Sequence, residues 1–449
     1  METINNSSNK LFFGTAFVLL LIGLVAGVLS SIVYLVPDFF IENGSLLKLR
    51  PIHVSAVMFW IIIGATATVY TGLWQFKKSK IVTIIAKIQW CLWIIALTGI
   101  SYSYWEGDFG GREYWEFNPI WAIPIFLAFS LFLVAFFLSV KQIKTWPVYI
   151  WMWMTGIVFF LFIFIENYLW IFPYFRFHFV SDMTLQWKVN GSMIGSFNQL
   201  LYGSAFFLMD YINKGATKKV AFSKLAFGLY FLGLANLMFN WGHHIYTLPT
   251  DSYVRIVAYV ISMTEWVFFA KIVYNWKKSY LEIKSNYHYF PFRFLMATDF
   301  WVFINMGQAI LMSIPALNIY THGTHVTVAH SMGTTIGINT MIIFATAFTF
   351  LGPIDEKRKS IKNILNFSFW IAQVALLCMF VALDYAGFLR GMWQMSKSQI
   401  PFSVMMDQSW MVFAIIGVAG LILLICFFVF IYFLFIYLFK KINSTVVQS

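Results

Sequence analysis

The chain alternates between long apolar runs and short polar turns from one end to the other. Each run exceeds the roughly 20 residues that a helix needs to cross a bilayer. A helix satisfies its own backbone hydrogen bonds, which lipid cannot do, so each run is predicted to be a transmembrane helix. The pattern predicts an all-α integral membrane protein, with about twelve spans in a single polytopic domain over residues 1–449. The runs lie near residues 11–36, 51–76, 81–104, 118–140, 146–172, 184–212, 219–248, 253–276, 293–319, 323–352, 364–389 and 408–439.

The composition agrees with this class, since 60% of the residues are hydrophobic and only 11% are charged. Soluble domains are usually about 25% charged. The net charge of +12 comes from Lys and Arg in every second turn and not from a basic helix, so no nucleic-acid partner is expected. By the positive-inside rule those turns are cytoplasmic. We therefore predict a multi-pass protein of the inner (cytoplasmic) membrane, embedded in the lipid bilayer, with both termini in the cytoplasm.

Histidines lie at the ends of three of the runs. His53 opens the second run, His243 and His244 close the seventh, and His330 lies in the first part of the tenth. Because successive helices run in opposite directions, these four residues are expected at a similar depth. Ionisable groups inside a membrane are costly and usually mark a functional site. We therefore interpret the set as a metal or haem layer and not as isolated polar residues at the interface.

Two local spacings sharpen this interpretation. His243 and His244 point about 100° apart on a helix, and both can reach one metal where the helix end is loosened. Imidazole suits iron, copper and zinc. His330 and Met332 are two residues apart and face opposite sides of a helix, so one helix offers a ligand to each of two haems. Taken alone, His322 is explained as well by a polar residue at the membrane interface as by a residue of a functional site.

At these residues the chain resembles subunit I of the haem–copper oxidase superfamily, and most of all the large subunit of the nitric oxide reductases. The resemblance covers nearly the whole chain. The segments that carry it are Arg50-Pro51-Ile52-His53, Gly242-His243-His244, Tyr320-Thr321-His322-Gly323 leading to His330, Gly111-Arg112-Glu113-Tyr114-Trp115-Glu116, and Ser262-Met263-Thr264-Glu265.

The resemblance implies two haems and a non-haem metal. His53 and Met332 would be the axial ligands of a low-spin haem b, and His330 the proximal ligand of a high-spin b-type haem. His243 and His244 would bind a non-haem iron, or copper, and take part in catalysis.

The resemblance also assigns roles to residues around the haems. Glu265 is similar to an acidic residue beside the reductase active site and is assigned a catalytic role. Arg50 and His322 are assigned to haem binding. Glu116 is similar to an acidic residue that binds calcium between subunits and haem propionates.

The chain departs from the family pattern at two places. Met332 stands where the family has a histidine, and we prefer ligation by its thioether to simple packing because methionine is an established haem ligand. On the sixth run, Asn190 or Gly191 stands where the family has a third metal histidine, and Gly195 replaces a glutamate. We assign Asn190 to the metal. The metal would be held by two histidines plus an amide or water, or held weakly.

The implied activity is the reduction of two NO to nitrous oxide and water. The chain has no CxxCH haem-attachment motif and no N-terminal extension for quinol, so electrons are expected from a separate cytochrome c-type or cupredoxin subunit. An NO dismutase-like enzyme and a cbb3-like oxygen reductase remain as alternatives. Thr247 occupies the place, four residues after His243, of the tyrosine that mitochondrial-type oxidases join to that histidine. A haem-bearing sensor or structural subunit is the non-enzyme alternative, and the histidine layer weighs against a transporter.

Overall fold

The computed structural model describes residues 7–39, 45–141, 144–212, 220–264, 266, 290–351, 359–396 and 400–439. Helices dominate these ranges, and no β-strand occurs within them. A helix corresponds to each of the twelve apolar runs. We label them α1 (Ser7–Leu35), α2 (Ser45–Phe76), α3 (Lys80–Glu106), α4 (Ala122–Val140), α5 (Val148–Asn167), α6 (Phe179–Ile212), α7 (Lys224–Phe239), α8 (Ser252–Thr264), α9 (Phe290–Met312), α10 (His325–Phe350), α11 (Lys359–Met395) and α12 (Trp410–Phe439).

Within the described ranges, 10 helices are long and apolar enough to cross a membrane, which confirms the predicted all-α membrane fold. Helices α6 and α8 are the two that do not meet both conditions. Helix α6 has 34 residues, but polar side chains are spread along it and make it less apolar than the others. Helix α8 is apolar and is described only over Ser252–Thr264, which is shorter than a full span.

Helices α2 and α10 form the centre of the bundle. In their most apolar stretches, 83% of the residues of α2 and 94% of those of α10 are buried, against 28% in α3 and 33% in α12. The apolar side chains that α3 and α12 leave exposed form a surface suited to lipid. The two central helices carry His53 and His330, which are both partly buried.

Helix α10 changes its winding directly after His330 and Met332. It is α-helical over His325–Met332, π-helical over Gly333–Thr340 and α-helical again over Met341–Phe350. Such π segments are rare and occur frequently at functional sites. Because His330 and Met332 both precede the π segment, the α-helical geometry places them on opposite faces, as their spacing predicts.

Candidate haem and metal site

The paired histidines lie on a loosened helix end. Helix α7 passes into a 3-10 turn at Asn240–Ile245, and there the ring centroids of His243 and His244 are 4.2 Å apart. Nδ1 of His243 donates to Oδ1 of Asn240 at 3.0 Å, and the Ser262 hydroxyl donates to the same oxygen. This hydrogen bond fixes the tautomer of His243 and leaves its Nε2 for a metal.

Helix α6, the turn before α10 and α10 itself bring further rings to the pair. The indole of Trp187 stacks on His244, with centroids 5.0 Å apart and planes 8° from parallel. The ring of His322 lies 5.4 Å from that of His244 and 5.0 Å from the indole. The imidazole of His330 interacts electrostatically with those of His243 and His244. Contacts between rings therefore join His243, His244 and His322 into one cluster, and His330 is linked to it through electrostatic interaction.

Three nitrogens of this cluster, Nδ1 of His244, Nε2 of His322 and Nδ1 of His330, are buried without a hydrogen-bond partner. A buried polar atom without a partner costs about 1 to 3 kcal/mol, and coordination to a metal would remove that cost. Burial lowers the pKa of His322, which keeps the ring neutral as a ligand must be. The donors therefore fit iron or copper. No group of three or more His, Cys, Asp or Glu side chains in the described ranges is already arranged to hold a metal.

His53 is held against helix α1. Its Nδ1 donates to the carbonyl oxygen of Gly23 at 2.7 Å, and the ring packs on Gly27. Since Nδ1 is engaged, Nε2 is the nitrogen left for a haem iron, which fits the predicted role. Met332 is partly buried against the hydrophobic core. Its ligation of a haem stays a prediction.

The structure gives a physical reason for the departures on the sixth run. A Cβ at Gly191 would lie 3.0 Å from Cβ of Trp241, and one at Gly195 would lie 3.0 Å from Cβ of Leu237. The two glycines therefore let α6 pack closely on α7, and neither position has room for a metal-binding side chain without a shift of α7. Asn190 is buried, and its Nδ2 has no hydrogen-bond partner. Its assignment as a metal ligand stays a prediction.

The Gly111–Glu116 turn lies beside the start of α2. Nη1 of Arg50 donates to Oε1 of Glu116 at 2.5 Å, and its Nη2 lies 3.4 Å from Oε1 of Glu113. Burial raises the pKa of Glu116, and the guanidinium of Arg50 opposes that shift. Calcium at Glu116 would compete with this guanidinium for the same carboxylate, and a haem propionate would compete with the carboxylates for Arg50. Glu265, the predicted catalytic acid, lies outside the described residues.

Comparison with known proteins identifies the family. The sequence matches the family model described as cytochrome c and quinol oxidase polypeptide I over residues 8–442. The chain belongs to this family of haem–copper oxidase subunits. It is 23% identical over 375 residues to cytochrome c oxidase subunit 1 of Rhodobacter capsulatus, a match that covers 78% of this chain and 69% of the relative. It is also 23% identical to a cytochrome c oxidase subunit 1 homolog of Agrobacterium tumefaciens (strain T37), covering 84% of this chain and 72% of that one.

A solved haem–copper terminal oxidase dimer matches the fold with a TM-score of 0.73. That match covers 98% of this chain and 85% of the other, and at 14% identity it shows the fold alone. Membership of the family makes the chain a membrane oxidoreductase of the terminal oxidase type, and the family carries haems with a copper or iron centre. The family prediction is therefore confirmed at the level of haem–copper oxidase subunit I.

Two residues of the site were missed in the sequence analysis. Asn240 lies three residues before His243, and that helical spacing could have indicated the contact between them. Trp187 gives no such signal, because its contact with His244 joins helices that are far apart in the chain.

Proposed function

We propose that this chain is the catalytic large subunit of a nitric oxide reductase. The reaction is 2 NO + 2 H⁺ + 2 e⁻ → N₂O + H₂O, with the electrons supplied by a cytochrome c-type or cupredoxin subunit. The bound haems and the non-haem metal, iron or copper, supply electron transfer and a binding place for the small gas molecule. The residues that we assign to them are His53 and Met332, His330, and the pair His243 and His244.

The observation that carries the proposal is the surroundings of the histidine pair on α7. The oxygen-reducing relatives of mitochondrial type need a tyrosine four residues after the first metal histidine, and that position here is Thr247, which is exposed. The neighbouring Tyr246 donates its hydroxyl to the carbonyl oxygen of Ser313 at 3.0 Å. Its phenol is thus engaged with the backbone before the tenth helix. A centre without this tyrosine suits the two-electron reduction of NO.

The protein residues have four separate tasks in this proposal. Asn240 orients His243, and Trp187 covers one face of His244. The apolar burial around α2 and α10 excludes bulk water, which strengthens electrostatic interactions within the site. The loop between the third and fourth helices carries Glu106, Asp108, Glu113 and Glu116 and lies opposite the turns rich in Lys and Arg. This acidic loop is the proposed docking face for the electron-donor subunit, on the side away from both termini.

Oxygen reduction is the second candidate, because the two curated relatives are named as a cytochrome c oxidase subunit 1 and its homolog. The centre would then reduce O₂ to water with four electrons and four protons. A cbb3-like arrangement, in which the tyrosine comes from another helix, would permit this with Thr247 in place.

Turnover of the two gases distinguishes these candidates. The purified complex, reduced through its own donor subunit, is given NO without oxygen, and then O₂ without NO, with electrodes that follow each gas. We expect NO consumption well above O₂ consumption. His244→Ala should abolish the consumption of NO. His325→Ala should leave it unchanged, because His325 packs between Tyr34 and Phe413. Rapid O₂ consumption with no NO consumption would establish the second candidate, and turnover of neither gas would favour a haem-bearing sensor or structural subunit.

A further inference from the structure

A cleft of about 470 Å³ lies beside the turn between α2 and α3. Three of the described residues that line it are lysines, namely Lys78, Lys80 and Lys87, and Trp74 of α2 lines it as well. None of its described lining residues is acidic. The volume is within the range of about 300 to 1,000 Å³ that is typical of pockets for small ligands. We call it the lysine cleft, and its size and charge suit an anionic group.

Two of these lysines lie on one face of α3. Lys80 and Lys87 are separated by nearly two helical turns, and both side chains are exposed. Neither is paired with a carboxylate in the described parts of the chain, where the ion pairs join other residues. The positive charge of both side chains is therefore available to an anion from outside the chain.

An apolar stripe continues from the lysine cleft along α3. Isoleucines that are each about half exposed form this stripe, namely Ile81, Ile84, Ile88 and Ile95. One of them, Ile84, also lines the cleft. In a membrane protein such an exposed apolar surface is covered by lipid tails. The lysine cleft therefore lies at the end of a surface that faces acyl chains.

The length of α3 places the lysines at the level of lipid headgroups. Its 27 residues rise about 40 Å. A bilayer is about 30 Å thick across its hydrocarbon core and about 40 to 45 Å thick with its headgroups. The exposed Trp105 near the far end of α3 is a residue typical of the opposite membrane interface. Lys80 then lies among the headgroups, and the flexible stem of Lys87 lets its ammonium group reach the same level.

From this arrangement we propose that the lysine cleft binds the headgroup of an anionic phospholipid, whose acyl chains lie along the isoleucine stripe of α3. Basic pockets between transmembrane helices on the cytoplasmic side are suited to such headgroups. Ser79 also lines the cleft, and its side chain makes no capping hydrogen bond to α3, so its hydroxyl can donate to the phosphate. The site involves neither the haems nor the non-haem metal and does not depend on the proposed function.

Native mass spectrometry of the whole complex measures the binding. The complex is stripped of lipid in a neutral detergent and titrated with phosphatidylglycerol or with phosphatidylcholine, and glycerol 3-phosphate serves as a competitor without acyl chains. We expect one tightly bound phosphatidylglycerol for each copy of this chain. The double variant Lys80→Gln/Lys87→Gln should raise its Kd by about 30-fold, because each lysine near the membrane surface contributes roughly a factor of five.

Two double variants are the controls. Lys80→Arg/Lys87→Arg keeps both charges and should bind phosphatidylglycerol as the wild type does. Lys359→Gln/Lys362→Gln removes two charges at the start of α11, on the same side of the bundle, and should also leave the Kd unchanged. Unchanged haem spectra show that each variant is folded.

Acetylation of exposed amines, followed by peptide mass spectrometry, locates the bound lipid. Phosphatidylglycerol should protect Lys80 and Lys87 from acetylation and leave Lys359 reactive. Equal binding of phosphatidylcholine, or an equal loss in Lys359→Gln/Lys362→Gln, would overturn the proposed site. Full competition by glycerol 3-phosphate at the Kd of the lipid would show that a soluble phosphate is the ligand. Protection of both lysines in the lipid-free complex would show that a protein subunit covers the cleft, and either result would also overturn the proposal.

Discussion

Removing Asn240 should weaken the non-haem metal without disturbing the haems. Its Oδ1 accepts the hydrogen bond of 3.0 Å that orients the His243 ring. In Asn240→Ala the ring loses this acceptor, so it can turn and change tautomer before binding. Loss of such an outer hydrogen bond typically weakens metal binding by about 10- to 100-fold. This corresponds to a loss of about 1.4 to 2.7 kcal/mol in the free energy of metal binding at 25 °C.

The measurement is a competition titration of the metal-depleted complex with Zn²⁺ and a chelating indicator. Ser262→Ala removes only the hydroxyl that donates to Asn240, so we expect it to weaken binding less than Asn240→Ala does. Asn198→Ala is the matched control, because Asn198 accepts a hydrogen bond of 3.0 Å from Asn339 deeper in the bundle. Equal zinc affinities for Asn240→Ala and the wild type, or an equal loss in Asn198→Ala, would refute the orienting role.

Four further outcomes are expected. A pyridine haemochrome assay of the purified complex should give two b-type haems for each copy of this chain. A single haem would show that His53 or His330 is not a haem ligand. Met332→His should abolish a thioether–iron charge-transfer band and lower the potential of one haem, measured by redox titration, and unchanged spectra would place the ligand elsewhere. Gly195→Ala should lower the Tm in detergent, because overpacking against Leu237 costs about 1 to 3 kcal/mol. Gly14→Ala, with only an ordinary contact at 3.8 Å, should stabilise its helix by about 0.5 to 1 kcal/mol and raise the Tm.

The fold was predictable because lipid imposes a simple rule on the chain. Every backbone polar group inside a bilayer must be satisfied within its own helix, so long apolar runs report helices directly. Helix α6 shows the limit of the rule. Its polar residues, such as Ser192, which donates to the carbonyl oxygen of Leu237 at 2.7 Å, are matched by a neighbouring helix and not by lipid. A membrane helix whose polar residues are matched by its neighbours can therefore be less apolar than the other spans.

The site was predictable only in part. The sequence shows where each histidine lies along its helix, but it does not show which residues of other helices contact that histidine. The α-helical spacing of His330 and Met332 needed no tertiary structure. The closeness of His322 to His244 depends on how the turn before α10 folds over the end of α7. Likewise, the pairing of Arg50 with Glu116 joins α2 to a distant loop, and no spacing in the sequence predicts it.

The most direct test of the proposed function is the product formed from ¹⁵N-labelled NO by the reduced complex. Gas-phase mass spectrometry measures the products while the oxidation of the donor subunit is followed optically. We predict ¹⁵N₂O as the product, with one electron taken up for each NO consumed. Labelled dinitrogen with oxygen and no electron uptake would instead show an NO dismutase and contradict the proposal.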